Sequence, residues 1–298
     1  MKIGISLSEN AYTPESYAYE KYLKKLGHNV QLSYKLDPFN DINIYFMGMR
    51  SFFQKNEGIA KEVHEYQSLS TPPYAGIKNI AKRIVNKKPD GRIFLNNFVY
   101  KELGFKDHIP FIYRDMGVDE MFFQNPLVNP EFDIIYCGSV STRIGLVQTL
   151  LNLAKKNYTI LVIGNVTEIE RHALKSKNIT LMGAVKRELL PEMYRNAKFG
   201  LNYTPDIYPY NVQTSTKTLE YLASGLEVIS NRYKWSEVFF EKINYSPVWL
   251  EEDGSLSIKE ECCSKTVNSS IINSYSWENI LSISNLDGFL KEVLDEVN

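Results

Sequence analysis

Lys217 and Glu220 are the charged residues whose spacing says most about chemistry in this sequence. They lie three residues apart in STKTLEYLASG, so on a helix they would share one face. A lysine near a helix N-terminus adds its charge to the positive end of the helix dipole and can stabilise a phosphate. A glutamate one turn on can accept hydrogen bonds from a ribose diol. A plain surface ion pair has the same spacing, so the pair alone leaves both interpretations open.

Other residues near the pair and further upstream could also contact a phosphate. Gly138 ends the apolar run FDIIYCG, where it either lets the backbone approach a ligand or simply turns the chain. Arg143 stands at the start of a helix predicted over 142–156, where it could reach a phosphate or be an ordinary surface arginine. Three residues directly before Lys217 are candidate helix caps that also offer hydroxyl and backbone donors: Thr214, Ser215 and Thr216.

His64 is the candidate general base. It stands beside Glu65 towards the end of a strand predicted over 59–70. A histidine at a strand end could take a proton or hold a substrate hydroxyl. A single histidine is often structural, so that interpretation also stays open.

The elements that would position these residues follow a strand–helix rhythm that begins twice. The first series starts with KIGISL and the second with FDIIYC, after the polar segment NPLVNPE. We therefore predict an α/β fold with two Rossmann-like, doubly wound domains at 1–125 and 126–276. A C-terminal helix over about 277–298 is predicted to pack back on the first domain.

Composition excludes several classes of protein. The chain has 298 residues with a formal net charge of -1, so no strong field attracts nucleic acid. Three cysteines in no ligand or disulfide pattern indicate reduced thiols, and the start lacks an apolar signal segment. No run approaches the roughly 18 apolar residues of a membrane span. These features predict a cytoplasmic protein.

A helix predicted over 77–88 has a basic face. Such a face can dock on anionic lipid, which would place the protein peripherally at the inner face of the membrane. A solvated basic face is the other interpretation.

Six segments together resemble the donor-binding domain of GT-B glycosyltransferases. The resemblance is to the family-4-like group, glycosyl transferases group 1, which includes many bacterial surface-polysaccharide enzymes. It spans roughly 114–281 and occurs in the family's order, whereas residues 1–113 resemble the family mainly in topology. The segments are GVDEMFF (117–123), IIYCGSV (134–140), ILVIGN (160–165), ITLMGAVKRELLPEMYRNAKFGLNY (179–203), KTLEYLASGLEVIS (217–230) and SYSWENI (274–280).

The resemblance implies a GT-B fold, with two domains facing each other across a cleft. It implies that Glu220 holds the ribose and that the residues before it meet the phosphates. Val185 and Lys186 match the stretch that lines the nucleobase pocket. The loop after the first strand, with Glu9 and Asn10, would face the acceptor.

The sequence departs from the family pattern at two places. Val212 stands where the family usually has a second glutamate that contacts the sugar, so Asn211, Gln213 or no residue takes that role. Ser139 replaces an arginine, and Arg143 is one position short of the family's lysine.

The implied function is transfer of a sugar from a UDP- or GDP-linked donor to a hydroxyl of a glycan or lipid-linked intermediate. His64, Arg143 and Lys217 are the predicted catalytic residues of a retaining hexosyltransferase. The sequence has no D-x-D motif at a strand end and no His/Cys/Asp cluster. We therefore expect neither a metal ion nor another cofactor. Two alternatives stay open: a degenerate relative that binds nucleotide or glycan without turnover, and a nucleotide-sugar epimerase.

Overall fold

A computed structural model describes residues 1–7, 13–46, 50, 53, 58–70, 74–141, 143–251, 254–257 and 267–295. Two compact units divide the chain. One comprises Met1–Gly117 with Trp277–Asn298, and the other comprises Val118–Ser276. Residues 118–125 thus lie in the second unit and not, as predicted, in the first. The reason is local, because the Val118 amide donates to the Tyr275 carbonyl at 2.8 Å and Phe122 is fully buried.

Thirteen strands form in the described residues. They are β1 (Lys2–Ser6), β2 (Asn29–Ser33), β3 (Ile42–Phe46), β4 (Lys61–Tyr66), β5 (Gly91–Phe94), β6 (Phe111–Tyr113), β7 (Phe132–Cys137), β8 (Ile160–Ile163), β9 (Ile179–Gly183), β10 (Ala197–Asn202), β11 (Glu227–Asn231), β12 (Val248–Leu250) and β13 (Leu256–Ser257).

Eleven α-helices accompany these strands in the same ranges. They are α1 (Pro14–Lys25), α2 (Ala75–Ile84), α3 (Asn97–Leu103), α4 (Leu146–Lys155), α5 (Glu168–Ala173), α6 (Leu190–Arg195), α7 (Thr216–Ala223), α8 (Lys234–Lys242), α9 (Ser269–Asn273), α10 (Trp277–Ile283) and α11 (Leu286–Asp295). Short 3-10 helices lie at Glu120–Phe122, Arg187–Leu189 and Tyr210–Val212.

The sheet of the first unit is wholly parallel, in the order β2-β1-β3-β4-β5-β6. The strand order reverses between β1 and β3, which is where open α/β sheets bind ligands. Glu9 and Asn10, the predicted acceptor residues, follow β1 but lie outside the described residues.

The sheet of the second unit has the order β13-β12-β11-β10-β7-β8-β9. Only β13 is antiparallel to its neighbour. From β7 the chain winds outward through β8 and β9, then returns to β10 on the other side, so the order reverses between β7 and β10. This is the strand order of dinucleotide-binding folds, and the predicted α/β class with two Rossmann-like sheets is confirmed.

The strands form where the sequence is continuously apolar, as buried parallel strands require. The residues of β8, ILVI, are all buried. The core between this sheet and α4 is built from aliphatic side chains of β7, β8 and α4, including Ile134, Leu146, Leu150, Leu153, Ile160 and Val162.

Two glycines bring the ends of β7 and β8 together. Gly164 has φ +138°, and a Cβ there would lie 2.1 Å from the Gly138 carbonyl oxygen. Gly138 has φ +153°, a conformation that favours glycine. The close approach of the two backbones therefore accounts for Gly164, and the positive φ accounts for Gly138.

Several element boundaries differ from the predicted ones. The helix predicted over 142–156 begins at Leu146. Gly145 at its N-cap has φ +88°, a left-handed conformation that cannot be part of the α-helix. Arg143 therefore lies in the turn before the helix. The basic helix runs over Ala75–Ile84, and β4 is shorter than predicted, at Lys61–Tyr66.

Candidate functional site

The N-terminus of α7 is fixed at the carboxyl end of β10. Ser215 is its N-cap, and the Ser215 hydroxyl accepts from the Thr218 amide at 3.3 Å. The same hydroxyl donates to Oδ1 of Asn202, the last residue of β10, at 3.0 Å. The positive end of this helix, with Thr214, Thr216 and Lys217, thus lies beside the point where the strand order reverses, where an anion is favoured.

Glu220 is the centre of a charged cluster on α7. Its side chain is only 5% exposed, and its carboxylate accepts three hydrogen bonds. The donors are Lys217 Nζ at 2.8 Å, Arg187 Nη1 at 3.0 Å and the Tyr194 hydroxyl at 3.0 Å. The predicted contact between Lys217 and Glu220 is therefore present, and a second cation that the sequence did not reveal completes it.

The charges of this cluster stabilise one another. Burial would raise the pKa of Glu220, but the Lys217 and Arg187 charges outweigh it and hold the pKa below its usual value. Burial would likewise lower the pKa of Lys217, whereas the Glu220 carboxylate raises it. The cluster is therefore ionised at neutral pH, with two cations around one anion.

The accessible member of the cluster is Lys217. Its side chain is 31% exposed, against 13% for Arg187. A carboxylate has roughly four acceptor positions, so three donors leave Glu220 about one for a ligand. A ribose diol would use that position or replace one of the present donors.

Arg187 follows the predicted nucleobase residues after β9. Val185 is half-buried, Lys186 is exposed, and both lie beyond the carboxyl end of this strand. The Arg187 guanidinium stacks 4.9 Å from the centre of the Phe122 ring. The only sequence signal for Arg187 is its place beside Lys186.

Arg143 lies beside the segment that leads into α7. Its guanidinium is 5.7 Å from the centre of the Tyr210 ring, in the 3-10 helix Tyr210–Val212. Burial raises the pKa of the Tyr136 hydroxyl to about 12, and the Arg143 charge opposes this rise. That hydroxyl donates to the Ser139 carbonyl at 3.0 Å, which fixes the loop after β7. The structure therefore brings Arg143 to the segment before α7, and Ser139 stays in the loop after β7.

Asn211 and Gln213, the two residues that flank Val212, each carry a buried polar atom without a hydrogen-bond partner. These atoms are Asn211 Oδ1 and Gln213 Nε2. The Asn211 amide nitrogen donates to Asp206 Oδ1 at 2.8 Å, which fixes the orientation of that side chain. Since unpaired buried polar groups are costly, an acceptor and a donor here are suited to contacting a polar ligand.

No protein-family model matches the sequence, and no curated protein matches it. Among solved structures, a glycosyltransferase from Rickettsia africae superposes with a TM-score of 0.65 at 14% identity over 99% of each chain. AviGT4, a glycosyltransferase involved in avilamycin A biosynthesis, gives 0.64 at 13% identity, covering 99% of this chain and 98% of AviGT4. WaaG, involved in lipopolysaccharide biosynthesis, gives 0.56 at 11% identity, covering 99% and 94%.

The chain has the GT-B fold. The resemblance predicted from the six sequence segments is thereby confirmed at the level of the fold. Among the described residues of this GT-B chain, no three His, Cys, Asp or Glu side chains are grouped to share a metal ion. Each helix in the same ranges is too short or too polar to cross a membrane.

His64 of this GT-B chain lies near a strand end, as predicted, but its side chain is buried. It is the fourth of six residues in β4, is 0% exposed and belongs to the core. Its Nε2 lies 3.5 Å from Glu62 Oε2, and Arg50 and Lys87 also pair with Glu62. Glu65 and Tyr66, the last two residues of the strand, are buried as well. A base that must reach a substrate is not expected at this depth.

Acid is expected to destabilise the first unit through Glu62. Burial would raise the pKa of this carboxyl, but hydrogen bonds from His64 and Lys87, with the Arg50 charge, lower it from 4.5 to about 2. The folded pKa is the lower one, so the stabilisation is complete above pH 4.5 and is lost as the pH falls towards 2. The full loss is about 3 kcal/mol.

Urea unfolding followed by circular dichroism between pH 7 and pH 3 checks this expectation. Glu62→Gln should lower the free energy of unfolding at neutral pH and flatten its decline towards acid. Glu241→Gln, at an exposed glutamate of α8, should keep the wild-type slope. If the free energy of unfolding falls with pH as steeply in Glu62→Gln as in wild type, the Glu62 carboxylate is not the cause of the loss in acid.

Proposed function

We propose that this chain is a glycosyltransferase that moves a sugar from a nucleoside-diphosphate donor to a hydroxyl of a glycan or a lipid-linked intermediate. The observation that carries the proposal is the Lys217–Glu220–Arg187 cluster at the start of α7, beside the reversal of strand order. Two cations and a helix N-terminus suit a diphosphate, and a buried carboxylate suits a ribose diol.

The chemistry follows from the charge that develops. The bond between the anomeric carbon and the diphosphate oxygen breaks, and that oxygen takes the electron pair. The acceptor oxygen bonds to the same carbon, and its proton passes to the departing phosphate or to solvent. Lys217 and the α7 N-terminus would stabilise the growing negative charge, so protein cations would replace a metal ion. Arg143, in the loop after β7, would assist.

The donor's nucleoside diphosphate is proposed to be UDP or GDP. HepE from Anabaena, solved in complex with UDP and glucose, superposes with a TM-score of 0.55 at 9% identity. A T4 phage β-glucosyltransferase variant in complex with UDP-glucose gives 0.55 at 16% identity. These ligands make UDP the first compound to test. We propose that the activity is cytoplasmic, as the three cysteines in no disulfide pattern predict.

A thermal-shift screen against UDP, GDP, CDP and ADP, each alone and as a sugar conjugate, tests donor binding. The nucleoside diphosphate with the right nucleobase should raise the melting temperature. A ligand that binds only the folded state stabilises it by about 2.7 kcal/mol at one hundred times its Kd. If no nucleoside diphosphate raises the melting temperature at millimolar concentration, the proposal is wrong.

Turnover separates the enzyme from the two alternatives. A transferase should release free nucleotide only when an acceptor is present, and the NMR coupling of the product's anomeric proton shows whether configuration is retained. A binder without turnover, which Val212 and Ser139 favour, would shift the melting temperature but release nothing. An epimerase would change the sugar while it stays attached to the nucleotide.

A further inference from the structure

Helix α2 carries its apolar residues on the outside of the first unit. Ile77 is 66% exposed, Ile80 is 46% exposed and Ile84 is 72% exposed. Their spacing of three and seven residues puts them on one side of the helix. Tyr74, just before the helix, is 74% exposed, and no residue of α2 is buried.

The polar side of α2 faces the protein instead. The Asn79 side chain accepts from the Ser70 amide at 3.1 Å, and burial lowers the pKa of Lys82 below its ordinary value. A helix on the surface of a globular protein normally packs its apolar side inward. The reversed orientation of α2 therefore calls for an apolar environment outside the chain.

The charge around the apolar residues indicates which environment this is. Lys78 and Arg83 flank the isoleucines on the helix, and Lys88 follows it; all three are exposed. The segment 74–89 contains no aspartate or glutamate. Isoleucines with flanking cations complement the acyl chains and phosphates of an anionic lipid surface.

We propose that the α2 face, defined as Ile77, Ile80, Ile84, Lys78 and Arg83, docks on a bilayer that contains anionic phospholipid. The helix lies in the plane of the interface, with its isoleucines among the acyl chains and its cations against the headgroup phosphates. This inference does not rest on the proposed sugar transfer, because it concerns a separate surface and is read out by lipid binding alone.

Vesicle co-sedimentation with the full chain tests the docking. Wild type should bind vesicles of phosphatidylglycerol and phosphatidylcholine at least tenfold more tightly than vesicles of phosphatidylcholine alone. Ile77→Asp with Ile84→Asp should weaken binding to the anionic vesicles by about tenfold or more, since the apolar contribution is lost. Lys78→Gln with Arg83→Gln should weaken it by roughly 25-fold, about fivefold per cation.

A matched control is available on another helix. Ile169 of α5 is 83% exposed, and Ile169→Asp should leave vesicle binding unchanged. Equal binding of wild type to both vesicle types would overturn the proposal, and so would full binding by the double aspartate variant. Sedimentation velocity gives a further check, because a wild-type dimer that the aspartates convert to monomer would assign this face to a second copy of the chain.

Discussion

Replacing Lys217 by alanine should lower the turnover number of sugar transfer by roughly 10²- to 10³-fold, the usual loss when one donor to a developing oxyanion is removed. Lys217 is the most exposed member of the charged cluster and lies in the first turn of α7. The fold should survive, because Glu220 keeps its hydrogen bonds from Arg187 and Tyr194. The measurement is release of free nucleotide under saturating donor and acceptor.

Lys234 provides the matched control for that experiment. It too is an exposed lysine in the first turn of a helix, α8, in the same unit. Lys234→Ala should keep wild-type turnover, and Lys217→Arg should recover part of the loss by restoring the charge. Wild-type turnover in Lys217→Ala would remove this residue from the mechanism.

Replacing Glu220 by alanine should lower the free energy of unfolding by about 3 to 5 kcal/mol, because a partner removed from a buried ion pair leaves uncompensated charge. Arg187 would lose its carboxylate in a largely buried position, whereas Lys217 could turn towards solvent. Urea unfolding measures this loss. Glu237→Ala, at an exposed glutamate of α8, should cost no more than about 0.5 kcal/mol.

The same variant separates a structural role of Glu220 from a binding role. Nucleotide affinity is measured by calorimetry well below the melting temperature, so that both Glu220→Ala and wild type are folded. Loss of affinity supports the ribose contact. Reduced stability with wild-type affinity would show that the carboxylate only holds Arg187 and Lys217 in place.

The local part of the candidate site was predictable from sequence. The contact between Lys217 and Glu220 follows from helical spacing, and Ser215 is a typical N-cap residue. The buried strands also follow from short continuous apolar runs such as ILVI.

Arg187 was not predictable in the same way. It lies 33 positions before Glu220, and the two meet only because α7 and the segment after β9 come together in the folded unit. No local pattern reports that contact, since it depends on the order of strands in the sheet.

The sequence was misleading at β4 for a different reason. A strand with the sequence KEVHEY looks half-exposed, because charged residues are seldom fully buried unless they are paired. Here Glu62 is paired by Arg50 and by Lys87, which lies 25 positions away. Glu65 forms an ion pair with Arg114. Partners from distant segments offset the free-energy cost of burying these carboxylates. The periodicity of the sequence does not reveal such partners.

The course of the chain through its two units has a practical consequence for fragments. The second unit is one continuous stretch, Val118–Ser276, whereas the first needs both ends of the chain. The Cβ position of Gly91 on β5 would lie 2.7 Å from Val293 and 2.9 Å from Phe289 of α11, so this helix seals the sheet. A recombinant piece that stops at Gly117 would leave that side of the sheet bare, so expressing the first unit alone requires a linker from Gly117 to Trp277.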